Sequence, residues 1–151
     1  MLEGGCECGQ IRYRLATAPI FVNCCHCRQC QRLSGSAFAV NAMIEADRVE
    51  LIGDGDAASG LQDREGAIHC FACNTLLWGL HPMFGESILF VRAGTLDESE
   101  RLPPDAHFFI RSKHPWIILP EGVPCFETLP TKDDPPLWSA EAKTRLKAAG
   151  R

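Results

Sequence analysis

The sequence lacks any apolar run close to the roughly 18 residues that a membrane-spanning helix needs, so it predicts no membrane segment. It also lacks an excess of basic residues, since 15 Lys and Arg stand against 19 Asp and Glu and form no stripe. This distribution argues against a nucleic-acid partner, because such surfaces concentrate positive charge. Neither a basic nor an apolar stretch precedes Cys6, so we expect no secretory leader and a reducing, cytoplasmic location.

Cysteine, in contrast, is abundant and clustered. Eight of the nine cysteines fall in three short groups, at residues 6–8, 24–30 and 70–73. Disulfides explain these groups poorly, because the count is odd and neighbours such as Cys24 and Cys25 cannot bridge without severe strain. Thiolates at CxC or CxxC spacing can bind one tetrahedral ion from a single short turn. The groups therefore predict zinc.

The first and last groups together supply four ligands. Cys6 and Cys8 point to the same side if they lie on or beside a strand, so one ion can bind both sulfurs. Cys70 and Cys73 would complete a closed four-cysteine site, which is typical of structural zinc. Spacing alone leaves open a swap in which Cys70 and Cys73 pair with the middle group instead.

The middle group predicts a different kind of site. Cys25, Cys27 and Cys30 remain for a second ion, and three ligands leave one tetrahedral position open. An open position distinguishes catalytic from structural zinc. The alternative is an inert site in which Cys24, His26 or a more distant histidine fills the fourth position. In an extended segment Cys24 points away from Cys25, which favours a packed thiol over a ligand.

Short apolar or alternating segments of strand length recur along the chain. They lie at residues 11–15, 37–43, 49–52, 67–71, 76–80, 88–92, 107–110 and 116–119. Glycine and proline turns separate them, one at residues 53–56, and this punctuation is typical of an all-β fold. The length predicts a single domain over residues 1–151.

Two segments are expected to be helical. One is short and spans residues 27–33, and the other spans residues 139–149, where Ser139 can cap the first turn and Gly150 can end the last. The segment between residues 120 and 136 is rich in proline and acidic residues. We interpret it as an extended wrap over the domain that leads into the C-terminal helix.

Six motifs follow one another between residues 4 and 127. They are GCECGQIRY at 5–13, CHCRQC at 25–30, SGSAF at 34–38, CFAC at 70–73, RAGTLD at 92–97 and HFFIRSKHPW at 107–116. In order and spacing the set resembles the glutathione-dependent formaldehyde-activating enzyme family. The resemblance implies an all-β, β-tent fold of short antiparallel strands that zinc coordination holds together.

The resemblance also implies a zinc-dependent carbon-sulfur lyase that joins glutathione to formaldehyde, or cleaves S-hydroxymethylglutathione or a related thiol adduct. It assigns one structural and one catalytic zinc, held respectively by Cys6, Cys8, Cys70 and Cys73 and by Cys25, Cys27 and Cys30. One departure follows Cys73, where the family usually has glycine and a hydroxyl residue and this sequence has Asn74 and Thr75, so that asparagine stands in place of glycine. Asparagine tolerates the left-handed conformation, so we expect the turn to form.

Cationic side chains are expected near the site, because a tripeptide thiol carries two carboxylates. The candidates are Arg92, Arg111 and Lys113, of which the motifs favour Arg92 and Lys113. His107 has two interpretations: a proton shuttle near neutral pH, or a hydrogen-bonded core residue.

Two other functions compete with the enzyme. In the first, both zinc ions are structural and the domain is a non-catalytic binding module. In the second, the CxxC pairs at 27–30 or 70–73 act in thiol-disulfide exchange. The second is disfavoured, because a thioredoxin-like motif belongs at a strand-to-helix junction in a βαβ setting that this sequence does not offer.

Overall fold

A computed structural model describes residues 1–53 and 57–150, and short strands dominate it. Within these residues the strands are β1 Leu2–Gly5, β2 Arg12–Leu15, β3 Phe21–Cys25, β4 Ala39–Glu45, β5 Val49–Ile52, β6 Leu61–Arg64, β7 Ala67–Cys70, β8 Leu76–His81, β9 Gly85–Arg92 and β10 Ala106–Phe108. The helices are α1 Arg28–Ser34 and α2 Ala140–Ala148. The predicted β fold with a short C-terminal helix is confirmed. No helix in the described ranges is long and apolar enough to cross a membrane.

The strands form two sheets. The smaller has the order β1-β2-β5, and the larger has the order β10-β3-β4-β9-β8-β7-β6. Neighbouring strands are antiparallel except β10, which lies parallel to β3 and places His107 opposite Cys24. This parallel pair joins residues more than 80 positions apart. It brings the 107 region beside the middle cysteine group.

Each face of the large sheet buries its own apolar cluster. The cluster between the two sheets includes Ile11, Tyr13, Leu15, Val22, Ala42, Ile44, Leu77 and Val91. The cluster beneath α2 includes Phe21, Met43, Ile88, Ala106, Phe108 and Leu146. Side chains alternate between the faces along a strand. On β3, Phe21 therefore belongs to one cluster and Val22 to the other.

The C-terminal segment covers the outer edge of β10. The N–H of Phe126 donates to the carbonyl of His107 at 2.9 Å, and the N–H of Ile110 donates to the carbonyl of Phe126 at 3.1 Å. An exposed strand edge would offer unpaired backbone groups to another chain. The wrap expected over residues 120–136 follows this edge and protects it.

The predicted strands and helices agree with the structure at most positions. Both helices are confirmed, and the side chain of Ser139 accepts a hydrogen bond from the N–H of Ala142 at 3.0 Å. The strand predicted at 116–119 is wrong: no strand forms there, and Trp116 and Ile118 are 69% and 93% exposed. Three strands, β1, β3 and β6, were not predicted. Most of the turn predicted at 53–56 lies outside the described residues.

A buried ion pair attaches α2 to the large sheet. The Nε atom of Arg145 donates to Glu45 Oε1 at 2.8 Å, and both side chains are largely buried. Burial raises the pKa of Glu45, but the hydrogen bond and charge of Arg145 outweigh it, so the pKa is lowered overall. The Nη1 atom of Arg145 also donates to the carbonyl of Ala18 at 2.9 Å.

The substitution Arg145→Met is expected to lower the free energy of unfolding by about 2–3 kcal/mol at pH 7, because it leaves the Glu45 carboxylate buried without its main partner. Arg48 lies 3.4 Å from the same carboxylate and limits the loss. Because the pKa of Glu45 is lower in the folded state, the pair stabilises above the unfolded pKa. That contribution is lost as the pH falls through the folded pKa.

Urea unfolding at pH 7 and in mild acid measures this effect, and the difference between wild type and variant should shrink in acid. The matched control is Arg101→Met, which removes the exposed Arg101–Glu98 pair and should cost less than about 1 kcal/mol. Equal losses for the two variants would show that the Glu45 pair has no special role.

Candidate functional site

Two tight turns bring the first and last cysteine groups together. Between β1 and β2, the N–H of Gly9 donates to the carbonyl of Cys6 at 3.0 Å. Between β7 and β8, the N–H of Asn74 donates to the carbonyl of Cys70 at 2.9 Å. Asn74 has a φ of 62°, so the left-handed conformation expected for it is confirmed.

The four sulfurs of these turns converge on one point. The Sγ atoms of Cys6, Cys8, Cys70 and Cys73 all lie within 4.8 Å of one another. The sulfurs of Cys6 and Cys8 are 3.5 Å apart, and those of Cys8 and Cys70 are 3.9 Å apart. A tetrahedron with zinc-sulfur bonds of about 2.3 Å has sulfurs about 3.8 Å apart. The group therefore fits a single zinc ion.

Hydrogen bonds favour the thiolate at Cys6 and Cys73, whereas for Cys8 the hydrogen bond from a backbone N–H is outweighed by those to the other sulfurs, which raise its pKa. The hydroxyl and the N–H of Thr75 lower the pKa of Cys73 to about 5. The N–H of Ile11 donates to the sulfur of Cys6 at 3.2 Å. The N–H of Glu7 donates to the Thr75 hydroxyl at 3.2 Å and so links the two turns directly. Because zinc binds the deprotonated thiol, these contacts prepare the group for the metal.

The middle cysteine group forms at the junction of β3 and α1. Cys25 ends the strand, Cys27 caps the helix with its side chain, and Cys30 lies in the first turn. The three Sγ atoms lie within 4.8 Å of one another. Among residues 1–53 and 57–150, no fourth His, Cys, Asp or Glu ligand atom joins them. The structure groups Cys70 and Cys73 with the N-terminal turn and not with these three sulfurs.

In the three-sulfur group the pKa of Cys30 is lowered and that of Cys25 is raised, so Cys30 is the cysteine of this pair that carries the negative charge. A hydrogen bond from Cys25 lowers the pKa of Cys30 to about 6, with further lowering by Cys27 and by the charge of Arg92. The pKa of Cys25 is raised, first by its hydrogen bond to Cys30 and then by burial. The N–H of Cys30 also donates to the sulfur of Cys27 at 3.3 Å. Soft sulfur donors in this arrangement suit zinc.

A cavity of about 330 Å³ adjoins the three-sulfur group. Its lining is Leu33, Ser34, Phe38, Ala39, Val40, Leu76, Arg92, Gly94 and Thr95. Ala39 lies directly opposite Cys25 in the register of β3 and β4, so the cavity begins next to that cysteine. Among the described residues that line it, Arg92 alone is charged.

The other predicted cations lie differently. The ammonium of Lys113 donates to the carbonyls of Ile117 at 2.7 Å and His114 at 3.1 Å, which occupies two of its three N–H groups. Arg111 is exposed. Of the three candidate cations, Arg92 is the one that contacts a cysteine of the middle group.

An unpredicted cluster lies on the opposite face of β3 from Cys25. The ring nitrogens His26 Nε2 and His107 Nδ1 are 3.0 Å apart, and the Cys24 sulfur is 3.6 Å from His26 Nε2. Burial lowers the pKa of His26 to about 4 and also lowers the pKa of His107. Both rings are thus neutral near pH 7, which supports the core interpretation of His107.

The short helix α1 is anchored by a residue that sequence reasoning missed. The amide Nε2 of Gln31, which is 5% exposed, donates to the carbonyl of His26 at 2.7 Å and to that of Ser112 at 2.9 Å. These bonds fix the helix to the end of β3 and to the segment after β10. No local pattern marks this glutamine, because its partners are backbone atoms that only the tertiary fold brings close.

Comparison with known proteins gives three findings. The profile of the family described as "Glutathione-dependent formaldehyde-activating enzyme" matches residues 1–112. These residues contain the four-cysteine group, the three-sulfur group and Arg92. A Halomonas elongata protein, provisionally named a glutathione-dependent formaldehyde-activating enzyme, is 27% identical over 141 residues, covering 86% of this chain and 89% of that protein. A crystal structure of a Rhodobacter sphaeroides protein is similar over 64% of this chain and 88% of its own, with 17% identity and a TM-score of 0.49.

Substitution of single cysteines should separate the two candidate metal centres. Cys70→Ser is expected to leave the chain largely unfolded at room temperature and to lose both zinc ions, since structural zinc supplies about 10 kcal/mol or more in small domains and the three-sulfur group forms only in the folded chain. Cys30→Ser is expected to remove only the ion of the three-sulfur group and to leave the fold intact. Metal content by elemental analysis and secondary structure by circular dichroism measure both outcomes.

The control for these variants is Cys125→Ser, because Cys125 lies outside both groups and its thiol donates to the carbonyl of Val123 at 3.3 Å. It should retain two zinc ions and the wild-type fold. Two ions retained by Cys30→Ser would contradict the assignment of the second centre.

The turn after Cys73 offers a separate test. Asn74→Gly should change the free energy of unfolding by less than about 0.5 kcal/mol, because glycine adopts positive φ freely. Asn74→Val should lower it by about 1–2 kcal/mol, because a β-branched residue is strained there. Thermal unfolding of the zinc-loaded proteins compares the two variants. Equal stability would show that the left-handed conformation is not required.

Proposed function

Because the chain belongs to the glutathione-dependent formaldehyde-activating enzyme family, we propose that it is a single-domain, zinc-dependent carbon-sulfur lyase. It forms or cleaves S-hydroxymethylglutathione or a related thiol adduct. The observation that carries the proposal is the three-sulfur group, which no fourth ligand atom joins among residues 1–53 and 57–150, next to a cavity lined by Arg92. A vacant coordination position is the feature that separates catalytic from structural zinc.

The residues present fit the two ions that the family implies. Cys25, Cys27 and Cys30 would hold the catalytic ion, and the four-cysteine group would hold the structural one. When bound, the catalytic ion would supply Lewis acidity and would lower the pKa of a substrate thiol. A reducing cytoplasm, as the sequence predicts, would keep the cysteines available as thiolates.

The reaction needs no oxidant or reductant. In the forward direction the thiol sulfur forms a bond to the aldehyde carbon, and the thiol proton ends on the aldehyde oxygen. The reverse breaks the same carbon-sulfur bond and returns the proton to sulfur. The protein therefore has to bind the thiol, orient it towards the aldehyde and limit competing water.

The cavity lining can meet these needs. Phe38, Val40 and Leu76 give it an apolar wall against which the bound thiol can pack. Arg92 can bind a carboxylate of the thiol with two parallel N–H bonds. Lys113 remains the second proposed carboxylate partner, although its ammonium would have to exchange one backbone carbonyl for the substrate.

The test is exchange NMR of formaldehyde and glutathione with and without the zinc-loaded protein. The wild type should accelerate exchange between free formaldehyde and the thiol adduct. Cys30→Ser should lower the rate by more than about 100-fold, because loss of a ligand costs more than the 10–100-fold typical of an outer partner. Cys125→Ser is the control and should retain the wild-type rate.

The same samples distinguish the enzyme from a binding module. Added glutathione should perturb one zinc ion of the enzyme and leave the other unaffected. Tight binding of both ions that glutathione does not disturb, with no acceleration of exchange, would show that the domain is a non-catalytic binding module.

A further inference from the structure

A row of polar side chains crosses three strands beside the three-sulfur group. Asn23 on β3 lies opposite Asn41 on β4, and Asn41 lies opposite Arg92 on β9. Asn23 is two residues before Cys25 on the same strand, so strand alternation places this row on the face that carries Cys25. The row is therefore the one next to the sulfurs.

The three side chains form one directed chain of hydrogen bonds. Arg92 Nη1 donates to Asn41 Oδ1 at 2.7 Å, and Asn41 Nδ2 donates to Asn23 Oδ1 at 3.0 Å. A guanidinium can only donate, so the oxygen of Asn41 has to face Arg92 and its amino group has to face Asn23. The orientation of both amides is fixed by this requirement.

The surroundings make the row unusual. Apart from the Cys25 sulfur, the adjacent rows on this face are nonpolar: one pairs Cys25 with Ala39, and the other contains Phe21, Met43 and Phe90. Asn23 and Asn41 are 3% and 6% exposed. Burying two amides between apolar rows gains little stability even when both are hydrogen-bonded. Their effect in the structure is to hold one guanidinium.

The backbone end of Arg92 is also fixed. The hydroxyl of Thr95 donates to the Arg92 carbonyl at 2.7 Å and lies 2.6 Å from the hydroxyl of Tyr13, which is fully buried. Arg92 is thus held at its backbone by Thr95 and at one guanidinium nitrogen by Asn41. The guanidinium also donates a hydrogen bond to the sulfur of Cys30, and its other N–H groups can face the cavity that Arg92 lines.

We propose that Asn41, oriented by Asn23, is a positioning residue that holds Arg92 ready to bind a carboxylate, so that the site selects thiols carrying a carboxylate near the sulfur. This inference rests on the proposed function, because it assumes that a thiol binds at the three-sulfur group. With one cation in an otherwise uncharged lining, the cavity itself recognises one carboxylate.

Two small thiols of similar size test the inference, 3-mercaptopropionate and the uncharged 2-mercaptoethanol. Isothermal titration of each into the zinc-loaded protein gives the dissociation constants. Asn41→Leu should weaken mercaptopropionate binding about 10-fold, as expected for a misplaced charged hydrogen bond, and should leave mercaptoethanol within about twofold. Arg92→Met should weaken mercaptopropionate binding more than mercaptoethanol binding, because loss of its charge beside Cys30 affects any bound thiolate, whereas loss of its carboxylate contact affects mercaptopropionate alone. The double variant should be no weaker than Arg92→Met alone, since Asn41 acts through Arg92.

The matched control is Arg64→Met, which removes an exposed arginine at the β6 edge and should change neither constant. If Asn41→Leu does not fold, Asn23→Ala replaces it. That variant leaves the bond between Arg92 and Asn41 but frees the Asn41 amide to rotate, and it should weaken mercaptopropionate binding about threefold with no effect on mercaptoethanol.

Equal weakening of both thiols, or of neither, would overturn the inference while the proposed function stands. A zinc-loaded wild type that binds neither thiol would instead overturn the proposed function, and the role of Asn41 with it. Weaker binding of mercaptopropionate alone by the Asn41→Leu variant supports both the inference and the proposed function.

Discussion

The alternation of side chains along β3 is the constraint on which the candidate site depends. This strand is buried over its whole length, between β10 and β4. A period of two residues sends the adjacent thiols of Cys24 and Cys25 to opposite faces. Cys25 joins the three-sulfur group, while Cys24 lies with His26 and His107. The Cys24 thiol is thereby kept away from the three sulfurs, and in the described part of the chain no fourth ligand atom joins them.

The four-cysteine group connects the two sheets of the fold. It ties the turn after β1, in the small sheet, to the turn after β7, near the far edge of the large sheet. A chain of 151 residues has a limited core, and a metal that binds only the folded state adds its binding free energy to folding. In the zinc-loaded protein that we propose, this group and the ion pair at α2 would supply stability, so the three-sulfur group would be free to keep an open coordination position.

Local chemistry explains why part of this molecule could be predicted from its sequence. The cysteine spacings, the cap at Ser139 and the left-handed turn at Asn74 each depend on residues close along the chain. Strand β3 gave no alternating signal because all five of its residues are buried. The contact of His107 with His26 depends on a parallel pairing across more than 80 residues, which no local pattern encodes. The row of Asn23, Asn41 and Arg92 likewise depends on pairings between strands that are distant in the sequence, so no local pattern encodes it.

The charge of the proposed zinc site links the buried amides of Asn23 and Asn41 to the proposed function. Three thiolates around a divalent zinc ion carry a net charge of −1, and a further thiolate ligand would add to it. In a partly buried site such charge is poorly screened, so a nearby cation stabilises it more than an exposed one would. Arg92 supplies that cation, and Asn41 and Asn23 fix its position at some expense of apolar packing. A local departure from the apolar pattern of a sheet face is expected where binding, and not stability, dictates the residue.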